Sequence, residues 1–292
     1  MLRGIIVKGY GGFYFVQSEA GLISCRGRGR LKWNEKTLLV GDHVLFNLVG
    51  DGVGVIEEVL PRKNALIRPP VANVDQAILV FALIDPEPDL KLLDRLLILC
   101  GVEKIEVIIC LNKVDLVAEQ DGSSIADIYR SAGYEVIFTS ALQKIGIDKL
   151  AEKIKGKISV VAGPSGAGKS SILNALEPGM SLKTGEISRK LRRGRHTTRH
   201  VELLRVADGL IADTPGFSNL HLPDNMKAVE LGSYFPEINN LAGQCRFVDC
   251  LHFREPDCAV KKAVDSGAIS LSRYHNYLAF LREVMEKERT YE

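Results

Sequence analysis

Gly163-Pro164-Ser165-Gly166-Ala167-Gly168-Lys169-Ser170 is the stretch from which the fold can be read. It follows an apolar run of strand length, ISVVA at 158–162, and opens a helical run, KSSILNAL at 169–176. Strand, glycine-rich turn and helix together let successive backbone N–H groups curl inward around phosphates, aided by the helix N-terminus. Lys169 is then placed to neutralise β- and γ-phosphates. Ser170, with Ser171 beside it in the same turn, is placed to bring a hydroxyl to Mg²⁺. Transporter ATPases and guanylate kinases share this loop, so it implies a nucleotide triphosphate without choosing the base.

Outward from that loop, apolar runs at Val74–Ala82, Glu106–Leu111 and Glu135–Phe138 alternate with helical stretches at Leu90–Leu99, Ser123–Ala132 and Asp148–Lys155. This alternation predicts an α/β domain with a mainly parallel sheet covered by helices on both faces. Glu202–Val206 and Leu210–Ala212, around Asp208-Gly209, read as a hairpin joining the sheet. Upstream, Gly4–Lys8, Phe13–Gln17, Leu22–Cys25, Asp42–Asn47 and Val53–Val59 predict a small closed β-barrel, of oligonucleotide-binding or SH3-like type. Pro61–Pro70 reads as a solvated linker. Past residue 225 comes a Cys/His cluster and then a helix, Ser270–Lys287, whose Leu271, Tyr274, Leu278, Leu281 and Met285 predict a packing stripe. Length alone suggests about two domains. The pattern predicts three: a barrel over 1–66, a nucleotide domain over 67–224 and a small, mainly helical metal-binding module over 225–292.

The base is chosen by Asn112-Lys113-Val114-Asp115, at the end of the run 106–111. A carboxylate at Asp115 accepts both the ring N–H and the exocyclic amine of guanine, a donor pair adenine lacks. Asn112 would tether the loop and Lys113 would lie over the purine face. Ser140 and Ala141, in Thr139-Ser140-Ala141-Leu142, fit the short loop whose backbone N–H meets the guanine carbonyl. Asp213-Thr214-Pro215-Gly216 fits D-x-x-G, with Asp213 holding Mg²⁺ through water and the Gly216 N–H touching the γ-phosphate. Phe217 stands where many GTPases carry a water-orienting glutamine. In Gly194-Arg195-His196-Thr197-Thr198-Arg199, His196 is the nearest replacement, since an imidazole can orient water near neutral pH. Thr198, or else Thr197, would complete the Mg²⁺ set. An ordinary GTPase meets the phosphate loop first and N-K-x-D late. Here the order is cyclically permuted, which a fold with neighbouring termini tolerates.

Cys245-x4-Cys250-x-His252-x5-Cys258 supplies three thiols and an imidazole, a closed tetrahedral set for one structural Zn²⁺. Cys25, Cys100 and Cys110 read as core thiols. The longest apolar run, Ala77 to Ile84, spans 8 residues where a bilayer crossing needs about 20, so no membrane partner is expected. The first residues show no secretory pattern, and a cytoplasmic setting is expected. The net charge of +2 divides into +3 over 1–66, −3 over 67–188, +6 over 189–200 and −4 over 201–292. Arg26, Arg28, Arg30 and Lys32 with Trp33 in the barrel, and the strongly basic 189–200 segment, suit contact with an RNA backbone.

The permuted order of GPSGAGKS, NKVD and DTPGF, the GRHTT segment, the barrel and the C-x4-C-x-H-x5-C pattern together resemble the bacterial ribosome small subunit-dependent GTPase A family, also called RsgA, YjeQ or YloQ. The resemblance spans essentially the whole chain. It implies an oligonucleotide-binding barrel, a circularly permuted GTPase domain and a zinc domain that dock on the small ribosomal subunit late in its assembly, touching 16S rRNA. It further implies GTP hydrolysis to GDP that is slow alone and stimulated by the subunit, with the histidine at His196 as the proposed catalytic group. A monomer is expected. Two other readings remain open at this point: a GTP-dependent RNA-binding switch with incidental turnover, and a phosphoryl-transferring kinase.

Overall fold

The computed structural model describes residues 1–28, 37–66, 69–180, 182, 201–212 and 221–291, the side chains at 119–121 and 290–291 excepted. Its N-terminal strands are β1 (Leu2–Tyr10), β2 (Phe13–Ser18), β3 (Gly21–Gly27), β4 (His43–Gly50) and β5 (Val53–Val59). They close in the order β1-β2-β3-β5-β4, with β3 and β5 parallel and the other pairs antiparallel. This is the five-stranded oligonucleotide-binding arrangement, and it decides against the SH3-like alternative. Ile6, Val16, Ile23, Cys25, Val44, Phe46 and Ile56 fill the barrel, each from an inward position of its strand.

The segment expected as a solvated linker is instead stitched to the barrel. Arg62 pairs with the buried Asp42 at 2.6 Å, Asn73 donates to the Gly41 carbonyl at 2.9 Å and Val71 bridges to Val40. Within the segment, Asn64 bonds both the N–H and the C=O of Val74 at 2.9 and 2.8 Å and Leu66 is buried. Prolines bound this stretch without freeing it, because side-chain amides replace the ladder bonds that proline cannot donate.

The chain then enters a six-stranded sheet made of β6 (Gln76–Ala82), β7 (Glu106–Asn112), β8 (Glu135–Thr139), β9 (Ile158–Ala162), β10 (Leu203–Val206) and β11 (Gly209–Ala212). Their spatial order is β10-β11-β9-β6-β7-β8, all parallel except the β10–β11 hairpin. Every residue of β6 is buried, as expected of a strand covered on both faces. Ala77, Leu79 and Phe81 point to one side, where α1 (Leu90–Val102) and α2 (Glu119–Ser131) pack. Ile78 and Val80 point to the other, where α3 (Ile147–Ile154) and α4 (Lys169–Leu176) pack.

Beyond the sheet lie short helices α5 (Ala228–Leu231), α6 (Pro236–Asn239) and α7 (Ala259–Asp265), then the long α8 (Leu271–Tyr291). The buried stripe of α8 is Arg273, Tyr274, Tyr277, Phe280, Leu281 and Val284, whereas Leu271, expected inside, is 57% exposed. Tyr274 and Leu281 are buried and Leu278 and Met285 pack half-buried against the core, as forecast, and the stripe is wider than forecast because Arg273, Tyr277, Phe280 and Val284 join it. No helix among the described residues is long and apolar enough to cross a membrane.

Candidate nucleotide site and metal centre

Strand β6 lies between β9 and β7, so the loops leaving the carboxyl ends of those two strands flank a single crevice. The phosphate loop leaves β9 and the Asn112 loop leaves β7. Gly163, at φ +140°, presses its backbone against the Val80 carbonyl of β6, where any Cβ would collide. Gly168, at φ +92°, does the same against the Asn112 amide and ends as the N-cap of α4. These close approaches are what the glycines are for. Asn112 Nδ2 donates to Ala167 O at 2.9 Å, and Asn112 Oδ1 accepts from Thr139 Oγ1 at 3.1 Å. Asn112, expected to tether the loop it begins, makes a direct side-chain bond into the phosphate loop.

Lys169 is 8% exposed, and its ammonium donates to the Gly163 and Pro164 carbonyls at 2.9 and 2.6 Å. Burial pushes its pKa down to about 8, so an anion placed against it would find a poorly solvated cation. Ser170 is buried one residue further along α4. Lys113, in the left-handed region at φ +67°, heads the 3₁₀ turn Val114–Leu116 that carries the half-buried Asp115. Its ammonium donates to the main-chain carbonyl of Asp85 in the loop after β6. The same loop brings Pro86 Cδ to 3.3 Å from where a Cβ on Gly166 would stand. Neither contact has a signature in sequence, because one uses a carbonyl and the other a proline ring. Ser140 is buried, its Oγ accepts from Gln143 N–H at 3.0 Å, and its backbone pairs with Ile145, which shapes the Ser140-Ala141 turn beside Asn112.

At the other end of the chain, the ligand atoms of Cys245, Cys250, His252 and Cys258 all lie within 4.8 Å of one another. Cys245 Sγ is 3.8 Å from Cys258 Sγ and 3.5 Å from His252 Nδ1, which is 3.3 Å from Cys258 Sγ. Tetrahedral bonds of about 2.3 Å give ligand–ligand edges of about 3.8 Å, so the donor set fits a single zinc ion. Burial pushes the Cys250 and Cys258 thiols up, whereas at Cys245 the backbone N–H groups of Ala259 and Val260 outweigh burial and bring the thiol below its usual range. Tyr274 and Tyr277 of α8 donate to the His252 and Leu251 carbonyls at 2.7 and 2.8 Å and hold the ligand loop from behind.

Two family models cover the first three quarters of the chain: the RsgA N-terminal domain matches residues 3–56 and the RsgA GTPase matches residues 59–223. The chain belongs to the RsgA GTPase family. A Moorella thermoacetica protein named small ribosomal subunit biogenesis GTPase RsgA is 51% identical across 99% of this chain and 100% of its own length. Its Geobacillus counterpart of the same name is 49% identical over the full length of both. Among solved structures, YloQ, described as a circularly permuted GTPase, matches with TM-score 0.84 and 40% identity over 98% of this chain and 96% of its own. YjeQ from Thermotoga maritima matches with TM-score 0.85 and 40% identity over 97% and 98%.

The structure thus carries Gly163 to Ser171 on the loop and helix after β9, Asn112, Lys113 and Asp115 at the end of β7 and in the turn after it, and Ser140 and Ala141 on the loop after β8. The first two are joined by the Asn112–Ala167 bond, and Cys245, Cys250, Cys258 and His252 are brought to one point. His196, Thr197, Thr198, Asp213, Gly216 and Phe217 lie outside the described residues, as do Arg30, Lys32 and Trp33. The described hairpin β10–β11 joins the two segments that carry the first group. Two partners of the Asn112–Asp115 loop have no signature in the sequence, the Thr139 hydroxyl that donates to Asn112 and the Asp85 carbonyl that accepts from Lys113.

Proposed function

We propose that this chain is a GTP hydrolase that serves as a late assembly factor of the small (30S) ribosomal subunit, contacts 16S rRNA and uses hydrolysis to time its release. The observation that carries the reading is the Asn112–Ala167 bond, which couples a guanine loop to a phosphate loop in a chain whose relatives are named for small-subunit biogenesis. In this reading Asp115 and Asn112 select guanine and Lys113 covers its face, while Ser140 and Ala141 offer backbone N–H groups to its carbonyl. The N–H groups of Gly163 through Ser171 and the Lys169 ammonium hold the phosphates. Ser170 and Thr198 bind Mg²⁺ directly, and Asp213 binds it through water. Gly216 reads the γ-phosphate and His196 positions the attacking water.

The three-module division at 66/67 and 224/225 belongs to the same reading, with Zn²⁺ on Cys245, Cys250, His252 and Cys258 as a structural ion that keeps the last module folded. RNA contact is supported by one end of the barrel, where the Arg26 guanidinium stacks 4.4 Å from the Phe13 ring centre near the 63%-exposed Tyr10. We place the protein in the cytoplasm as a monomer.

The test is GTP turnover by the full chain with and without purified small subunits. Many-fold stimulation is expected, and its loss in His196→Ala with subunit binding retained would assign the water-positioning role. Phe217 in place of glutamine favours low intrinsic turnover under this reading and equally under the alternative, a nucleotide-dependent RNA-binding switch with incidental turnover. GTP-dependent binding without any stimulation would select that alternative.

A further inference from the structure

The two ends of the Asn112 side chain have the same shape and opposite hydrogen-bonding character. Only one orientation presents Nδ2 to the Ala167 carbonyl at 2.9 Å and Oδ1 to the Thr139 hydroxyl at 3.1 Å. Thr139 has one hydroxyl proton, and Asn112 receives it. The 3.1 Å contact between Thr139 Oγ1 and Cys110 Sγ then requires the thiol as donor. Asn112 and Thr139 are cross-strand neighbours on β7 and β8, and Cys110 lies two residues before Asn112 on the same face of β7. All three are at most 2% exposed, so solvent does not stand in for a missing partner. Burial pushes the Cys110 thiol up to about 12, which keeps the proton on sulfur.

We infer that Cys110 is a positioning residue for nucleotide binding: its thiol starts a one-way hydrogen-bond chain through Thr139 and Asn112 to the phosphate-loop carbonyl of Ala167. The inference rests on the guanine-nucleotide reading above. With the donor gone, the threonine oxygen loses its fixed partner, the hydroxyl is free to turn away from Oδ1, and the amide that ties base recognition to phosphate recognition loses its orientation. The consequence falls on nucleotide residence time rather than on the fold.

The experiment measures release of a fluorescent GDP analogue from the full chain in Cys110→Ser and Cys110→Ala. Both remove the sulfur, and only serine keeps a donor. Release from Cys110→Ala is expected to be about fivefold faster than from Cys110→Ser, the effect of one net hydrogen bond. Melting temperatures of the two nucleotide-free variants should agree closely. In a Thr139→Val background, where the acceptor is absent, Cys110→Ala should add nothing beyond Cys110→Ser. Equal release from serine and alanine variants, or a difference that persists in the Thr139→Val background, overturns the inference. Asp115→Asn provides the control for the underlying reading, with GDP binding lost and xanthosine diphosphate binding gained. Failure of that control overturns both, whereas a successful control with equal serine and alanine variants removes the Cys110 role alone.

Discussion

Arg273 and Lys8 each carry a positive charge across a junction of the nucleotide domain, and their surroundings differ in kind. Arg273 is 2% exposed and bonds Asp94 of α1 at 2.5 Å and both carboxylate oxygens of Glu237 at 2.8 and 3.1 Å. Asn276 and Tyr129 add donors to Asp94 at 2.6 and 2.9 Å, while Phe235, Tyr129 and Tyr134 line the guanidinium face. Lys8 pairs with Glu202 at 2.9 Å with both side chains about 40% exposed, at the rim of a cleft of about 730 Å³ between the barrel and β10–β11. A buried charge set is satisfied in one geometry only, so α8 and α1 are fixed in mutual orientation. A surface pair tolerates many geometries, whereas the connector after Pro61 is bound to the barrel through Arg62 on the buried Asp42 and Asn73 on the Gly41 carbonyl. The β10–β11 hairpin therefore meets a yielding charge pair on the barrel side, whereas the α8–α1 junction is held rigidly.

The largest effect is expected at the Cys245, Cys250, His252 and Cys258 cluster. Structural zinc contributes on the order of 10 kcal/mol in small zinc peptides. Cys258→Ala, or a strong chelator, is expected to unfold the ligand loop and release the grip of Tyr274 and Tyr277 on it. Amide exchange should rise across 245–265 and leave the barrel unchanged; equal loosening of both ends would show that the two junctions are not independent.

Next in size is Arg273→Met, which strands Asp94 and Glu237 in an apolar setting and should cost about 3–5 kcal/mol in denaturant unfolding. Adding Asp94→Leu and Glu237→Leu should recover much of that stability, while the orientation of α8 on α1 becomes less defined. A single variant that unfolds like the wild type would mean water reaches this junction.

The two junctions were also unequally legible in the sequence. The phosphate loop, the Asn112–Asp115 stretch and the Cys/His cluster are local patterns in which spacing alone suggests a chemistry, and strands β5, β9 and helix α4 fall where periodicity puts them. Arg273 was invisible because its partners lie 179 and 36 residues away, and a charged residue in a helix is read as solvated. The connector departs from its sequence expectation for a related reason. Proline and charge argue for solvent, and nothing local shows that Asn64 and Asn73 would supply bonds in place of a strand ladder. Thr139 and Cys110 meet Asn112 only through strand register, which requires knowing that β8 lies beside β7.

Asn73 gives the intermediate effect. It is 6% exposed, accepts from Lys63 N–H at 2.8 Å and donates to the Gly41 carbonyl at 2.9 Å. Asn73→Ala leaves both backbone groups unpaired and is expected to cost about 1–3 kcal/mol. If the connector rather than the cleft positions the barrel, this variant should also raise amide exchange over 61–75 before exchange rises elsewhere.

The smallest effect sharpens the contrast furthest. Lys8 and Glu202 are solvent-screened, so Lys8→Ala or Glu202→Ala should each change stability by less than about 1 kcal/mol, and moderate salt should erase the difference. Their backbones also meet, as an isolated antiparallel bridge between β1 and the residue before β10, and that bridge survives truncation of either side chain. The double variant should therefore behave as the sum of two near-neutral changes, with the melting transition unmoved at high salt. A loss comparable to Arg273→Met would show instead that the barrel is fixed by this contact, and that β10–β11 cannot move against it without breaking a strong bond.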